Sequence, residues 1–420
     1  MGAVVVIVGV LLMVVIHEGA HFVAAKAFGI KATEAFFGFG PRIWSIQRGE
    51  TEYGIKALPL GGYVRIVGMN PFEEVAPEDE GRTYREKPFW IKSVVVLAGV
   101  ASHFVVAAIL LYGLVLAYGV ADLKTEVSRV STVIVRDIKI DDSVALDLEG
   151  GDVIVQIDGL DIGLWTGSDK LPGELTRVTV ERDDRRVTLE TTDRVDPTPA
   201  FLAGIEVGDR LVEMDGVAIN TWGDFVAIAE ARPDVMVSVV IERDGALLSI
   251  PATLTSRENQ QGNLVGFFGV APLFVLEKVG PITAVGEAAS DLWAATRGSV
   301  LGLVGVVANF GDLLSAAVGD GEVPLDRPIS PIGLVRIAGP VEVGLQLLAF
   351  VNVFVGVLNF VPLYPLDGGH FAVALYEKVR GRPADIRKLM PVAVAVFIFI
   401  VILGLLGIYF DIVDPIQFPE

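Results

Sequence analysis

Gly2 to Ala25 reads GAVVVIVGVLLMVVIHEGAHFVAA: fifteen apolar or glycine residues, then His17-Glu18-Gly19-Ala20-His21, then apolar again. A run of this length on a helix rising 1.5 Å per residue can cross a hydrocarbon layer of ~30 Å. Two imidazoles and a carboxylate inside it cost several kcal/mol unless they are paired or coordinated. On a helix, residues four apart share a face, so His17 and His21 can reach one metal ion. Glu18 projects from nearly the same side and can take a proton from a water activated by that ion. The plain alternative is a pair of helix-packing histidines, and the burial cost argues against it.

Working outward, Ser93–Ala121, Val343–Leu366 and Leu389–Phe410 are further runs without a formal charge, giving four predicted spans. The first basic residues, Lys26 and Lys31, follow the first run. The loop between the last two runs carries Lys378, Arg380, Arg382, Arg387 and Lys388 against Glu377 and Asp385. By the positive-inside rule that loop is cytoplasmic and both termini lie outside. Pro281–Gly319 is apolar but interrupted by Glu287, Asp291, Arg297 and Asp312, and reads as an amphipathic helix at the outer interface.

The chain of 420 residues is 52% hydrophobic yet carries a net charge of −19. Ala121–Gly280 resolves the contradiction, with 29 acids against 15 bases. An acidic surface excludes a nucleic-acid partner, and the absence of cysteine excludes disulfides and thiolate metal sites. Within the acidic stretch, Gly151-Asp152 to Asp158-Gly159 is echoed by Gly208-Asp209 to Asp215-Gly216, and Val180–Asp183 by Ile241–Asp244. These echoes predict two copies of one β-rich unit, with hairpins turning at Asp183-Asp184 and Asp244-Gly245.

A catalytic zinc needs three protein ligands and one open position. The third must come from another span: His103 lies in the second, and Asp367 closes the third. Asp367 follows Pro362 and Pro365, which break a helix, and precedes Gly368 and Gly369, which admit close backbone contact. Broken helix at membrane depth is tolerated where it lines a cavity or protein interior.

The His-Glu-x-x-His of the first span, with Leu366-Asp367-Gly368 near the end of a later one, resembles the site-2 protease family of intramembrane zinc metalloproteases. Gly38–Pro41, Tyr53–Val64 with its Gly61-Gly62 pair, and Lys87–Trp90 resemble the bacterial branch, in which PDZ domains sit between the second and third spans. Thr198–Asp209 is a good PDZ match and Asp142–Asp152 a poorer one.

The resemblance implies a polytopic α-helical membrane protein of the bacterial inner membrane, with four transmembrane helices, a cytoplasmic-side β-hairpin or re-entrant region and extracytoplasmic PDZ-like domains. The expected segments are 1–30, first span; 31–92, hairpin and loop; 93–121, second span; 122–195 and 196–280, PDZ-like domains; 281–340, interfacial helix and linker; 341–376, third span; 388–412, fourth. It implies Zn2+ on His17, His21 and Asp367, Glu18 as the general base, and Asn359, Gly61, Gly62 and His103 as weaker substrate-binding candidates. The implied partners are single-span substrates such as anti-sigma factors, already cut once, a PDZ ligand peptide, and the bilayer.

One departure stands out: where the bacterial branch has Ala-Gly-Pro-x-x-Asn-Phe, this chain reads Ala98-Gly99-Val100-Ala101-Ser102-His103-Phe104. His103 could donate a hydrogen bond in the place of the Asn or be a packed bundle histidine. Strands predicted at Ile43–Gln47, Thr51–Ala57 and Tyr63–Val67 would offer an edge to an unwound substrate, whose freed backbone groups need partners. The acidic run Glu73–Glu80 reads as a solvated loop. A vestigial PDZ-bearing scaffold and a metal transporter are the competing classes. All three expected ligands and Glu18 speak against the first. The lack of further His and acidic residues along the spans speaks against the second.

Overall fold

The computed structural model describes the chain except residues 71–72, 137–152, 163–174, 183–184, 193, 260–262, 320–326 and 414–420. In chain order it opens with helix α1 (Gly2–Ala27), strands β1 (Ala32–Arg48) and β2 (Thr51–Ile66), and helix α2 (Phe89–Tyr118). Then come β3 (Val120–Val130), β4 (Val133–Arg136), β5 (Val153–Ile157), β6 (Leu160–Asp161), β7 (Thr176–Arg182), β8 (Arg185–Thr191) and β9 (Arg194–Pro197). A short α3 (Pro199–Leu202) leads to β10 (Arg210–Met214), β11 (Val217–Ala218), α4 (Trp222–Glu230), β12 (Met236–Arg243), β13 (Ala246–Thr253), β14 (Thr255–Glu258), β15 (Leu264–Phe267) and β16 (Val270–Glu277). The helices α5 (Pro281–Ala308), α6 (Phe310–Ala317), α7 (Pro331–Ile337), α8 (Val341–Phe360), α9 (Asp367–Arg380) and α10 (Ile386–Val413) complete it. By contacts the chain forms two compact units, one of Met1–Gly119 with Lys278–Gln417 and one built on Val120–Glu277.

In the first unit α1, α2, α5, α8 and α10 are all long and apolar enough to cross a membrane. That makes five such helices among the described residues, where the sequence suggested four. The segment Pro281–Gly319, expected as one amphipathic helix at the interface, is two helices, α5 over Pro281–Ala308 and α6 over Phe310–Ala317, and α5 with its three charges is by itself long and apolar enough to cross. The expected third span, 341–376, is two helices: α8 stops at Phe360, before Pro362 and Pro365, and α9 starts at Asp367.

The hairpin is larger than expected. Tyr53 faces both Ile46 and Ala35, and Ala35 in turn faces Val64. The two long strands therefore bend into four segments, ordered 42–48, 51–56, 32–37 and 61–66, with 61–66 at an edge. Gly38, Gly40 and Gly61 adopt positive φ at the bends. Glu50, in the β1–β2 turn, ties the sheet to the end of α1 by bonding Lys26, and to the following loop by bonding Arg82 at 2.9 Å. The Lys26 bond is the largest cause holding the Glu50 carboxyl below its ordinary value.

The acidic unit contains the repeat. β5, β6, β7 and β8 pair as β10, β11, β12 and β13 do. Both copies carry a register irregularity at the same place, between Ile154 and Gln156 and between Leu211 and Glu213. Both turn through an Asp-Gly with positive φ at Asp158 and Asp215. Each aspartate accepts from the neighbouring strand, from Arg177 N–H at 3.0 Å and from Ser238 N–H at 2.8 Å. The Asp183-Asp184 turn and the Asp142–Asp152 match lie outside the described residues.

The expected boundary at 122 is shifted. β3 pairs with β10 and β16, so residues 120–130 complete the second copy's sheet. The first copy is thus inserted into the second. The second copy's core gathers Leu211, Met214, Val239, Ile241 and Phe225, and α4 is closed by a Thr221–Asp224 capping box.

Candidate metal centre

The site grows from α1. Its pitch puts His17 and His21 on one face, with their Nε2 atoms 3.3 Å apart. Asp367 Oδ2 stands 3.5 Å from His17 Nε2 and 3.4 Å from His21 Nε2. Donors at ~2.05 Å around a tetrahedral ion are separated by about 3.3 Å, so this triangle has the edge length that zinc requires. Among the described residues it is the one group of three such side chains able to share an ion.

The surroundings fix the donors. His21 Nδ1–H donates to the Val95 carbonyl at 2.8 Å, which leaves the Nε2 lone pair directed at the triangle. Asp367 Oδ2 is buried and has no hydrogen-bond partner among the described residues, as befits an oxygen meant for a metal. The residues fit zinc in number, type and spacing.

Glycines set how closely the helices approach. A Cβ at Gly99 of α2 would stand 2.2 Å from His21 Nε2, so any side chain there displaces the imidazole. A Cβ at Gly368 would stand 2.2 Å from the Phe360 carbonyl oxygen. α9 can therefore fold back on the end of α8, and Asp367, its first residue, is carried to α1.

Glu18 points to the sheet. Its Oε2 accepts from Val64 N–H at 3.1 Å, on the edge segment 61–66. A cavity of about 360 Å³ lies here, bounded by Glu18, Gly62, Val64, Phe36 and Trp44. Gly62 is thus beside Glu18, and Gly61 forms the adjacent bend. His103 is buried, its ring centroid 4.8 Å from that of His17. Asn359 lies half-buried in the last turn of α8, two turns after Asn352. Asn352 was not anticipated. It is a fully buried amide on α8 beside His103, and an amide in an apolar run was the signal that could have revealed it.

Comparison with known proteins adds kinship to this geometry. The model of peptidase family M50 matches residues 5–403. The chain is 32% identical over 454 residues to the zinc metalloprotease Rip1 of Mycolicibacterium smegmatis, across 99% of this chain and 98% of that one. It is 29% identical over 447 residues to Rip1 of Mycobacterium tuberculosis, with the same coverage. It is 27% identical over 435 residues to the regulator of sigma-E protease RseP of Escherichia coli, across 91% of each. A triangle of donors spaced for zinc and similarity over nearly the whole length lead to one conclusion: the chain belongs to peptidase family M50, the family its sequence resembled, and is a zinc metalloprotease.

Proposed function

We propose that this protease cuts peptide bonds in or near the transmembrane segment of single-span membrane proteins, after a first cut by another protease, in regulated intramembrane proteolysis. The observation that carries the reading is the position of His17, Glu18 and His21 within a helix long and apolar enough to cross a bilayer. A protease with its site on such a helix works on substrates that are themselves in the membrane. The relative named regulator of sigma-E protease supports a substrate of the anti-sigma-factor kind.

In this reading His17, His21 and Asp367 hold the metal. Bound zinc supplies Lewis acidity toward a peptide carbonyl and lowers the pKa of a water. Glu18 accepts the proton of the attacking water and delivers it to the departing amine. The Val64 N–H keeps the carboxylate turned toward the sheet edge, where the peptide would lie. The edge segment 61–66 binds the unwound substrate as an added strand, satisfying backbone groups that lipid cannot. Ile43 and Trp44 of the outermost segment are 69% and 55% exposed, which suits a sheet dipping into the bilayer and not one standing in water. The two β copies act as PDZ-like, extracytoplasmic domains for a peptide ligand, and the active site opens toward the cytoplasm.

The test uses purified protein and a single-span reporter. Glu18→Gln keeps the shape of the side chain but no useful basicity, so zinc is retained and cleavage falls at least ~10²–10⁴-fold. Cleavage at the parental rate overturns the mechanism. The orientation is tested with Asp244→Cys in a chain free of other cysteines. Labelling from the cytoplasmic side alone would overturn it.

A further inference from the structure

His103 stands where the resembled family carries an asparagine, and its surroundings assign its protons. Asn352 Nδ2 donates to the Leu348 carbonyl at 2.8 Å. Turning that amide over would oppose two acceptor oxygens, so the orientation is fixed and Oδ1 faces His103. Oδ1 lies 3.4 Å from His103 Nδ1 and can only accept, which makes Nδ1 the protonated nitrogen. Nε2 then carries a lone pair. It is buried, His103 is 2% exposed, and Nε2 finds no partner among the described residues. The ring lies 4.8 Å from that of His17, tilted by 31°. His103 is outside the triangle of donors that can share one ion, so it is beside the metal site and not one of its ligands.

We infer that His103 is a positioning residue for the group that occupies the open side of the His17–His21–Asp367 triangle. Its Nε2 accepts a hydrogen bond from that group, a water before reaction or an O–H or N–H of a chelating inhibitor, and Asn352 holds the ring in the tautomer that can do so. An asparagine at position 103 could present either a donor or an acceptor there. The imidazole held by Asn352 presents an acceptor alone. The inference rests on the metal reading above and deepens it. It also changes what His103 does: an acceptor at this site orients a hydroxylic ligand, whereas the donor anticipated from the sequence would hold a carbonyl.

The experiment is ¹⁵N NMR of the full-length, zinc-loaded protein labelled at its four histidines, in micelles. The expected spectrum shows His103 with Nδ1 protonated and Nε2 bare, and Nε2 shifts when acetohydroxamate is added. A proton on Nε2 overturns the inference, as does an Nε2 resonance that stays fixed while those of His17 and His21 move. His103→Gln and Asn352→Leu should keep one zinc per chain and lower kcat about 10–100-fold, with KM nearly unchanged. Loss of zinc in His103→Gln would make His103 a ligand and overturn the positioning role. Wild-type protein that binds no zinc would overturn the metal reading itself, an outcome distinct from a wrong tautomer.

Discussion

In the unit built from α1, α2 and the helices after Lys278, the side chains hidden from solvent include His21, His103 and Asn352, while Val23, Ile109 and Phe397 are exposed. In Val120–Glu277 the order is reversed. Leu211, Met214, Val239 and Ile241 are fully buried, and most of the acidic side chains among the described residues are exposed. The same rule, that a surface should match its surroundings, yields opposite arrangements in lipid and in water. What differs is the work that burial does. In the acidic unit burial of apolar area supplies stability. In the helical unit the exterior gains nothing by packing inward, so precision comes from close helix contact and from polar groups that need one another.

The largest effect that would test this contrast is removal of a ligand. His21→Ala or Asp367→Ala should abolish stoichiometric zinc and cleavage together while leaving unfolding of Val120–Glu277 unchanged, as read by metal analysis and by hydrogen exchange on the full chain. Asp367 is the sharper case, since it reaches α1 only through the fold-back after Phe360. Full zinc occupancy in Asp367→Ala would show that the triangle is misassigned.

The reverse experiment is Leu211→Ala, which leaves a cavity in the acidic unit. Such truncations cost about 2–5 kcal/mol. Exchange protection across β10, β12 and β13 should fall accordingly, with zinc content intact. A comparable loss of zinc would mean that the two units do not respond separately.

Gly99→Ala should act the other way, by adding volume. Its methyl competes with His21 Nε2 for the same space, and metal affinity should drop about 10–100-fold, the range seen when groups supporting a ligand are disturbed. Chelator competition measures it. Unchanged affinity would show that α1 and α2 can separate freely.

The smallest effect is a pH dependence confined to the acidic unit. Burial raises the cost of charging Asp209, but Arg243 Nε and Nη2, each at 2.7 Å, and the Glu206 N–H at 2.8 Å outweigh it and hold the carboxyl below the usual aspartate value. A lowered folded pKa contributes stability that is complete above the unfolded value of 3.8 and is lost as pH falls through the folded one. Thermal unfolding of this unit should therefore weaken below about pH 4, and Asp209→Asn should flatten that slope.

Much of the site was legible because its chemistry is local. His17, Glu18 and His21 sit within one turn and a half of helix, and Asp367 is framed by prolines and glycines that announce a break. The β repeat was legible for a similar reason, since an Asp-Gly turn leaves a short, exact signature. What escaped was set by partners distant in sequence. Gly38–Pro41 carried a resemblance but no sign that 32–37 would lie between 51–56 and 61–66. Nothing in Val120–Val130 says which copy's sheet it will join. Charges at Glu287, Asp291 and Arg297 suggested a polar face, and their spacing cannot distinguish a helix lying on a membrane from one crossing it. Asn352 is uncharged and isolated, and its meaning appears only when α8 is set against α2.

The tight glycine contacts at Gly99 and Gly368 have a practical consequence for mapping this protein. An alanine scan ordinarily subtracts atoms, and a silent position is taken as dispensable. At these two places alanine is the larger residue, so the scan becomes a test of intrusion, and a harmful result there reports empty space that must stay empty. A survey that skipped glycines, as such surveys commonly do, would return a map of this site with its ligands marked and the clearances that let them meet left blank.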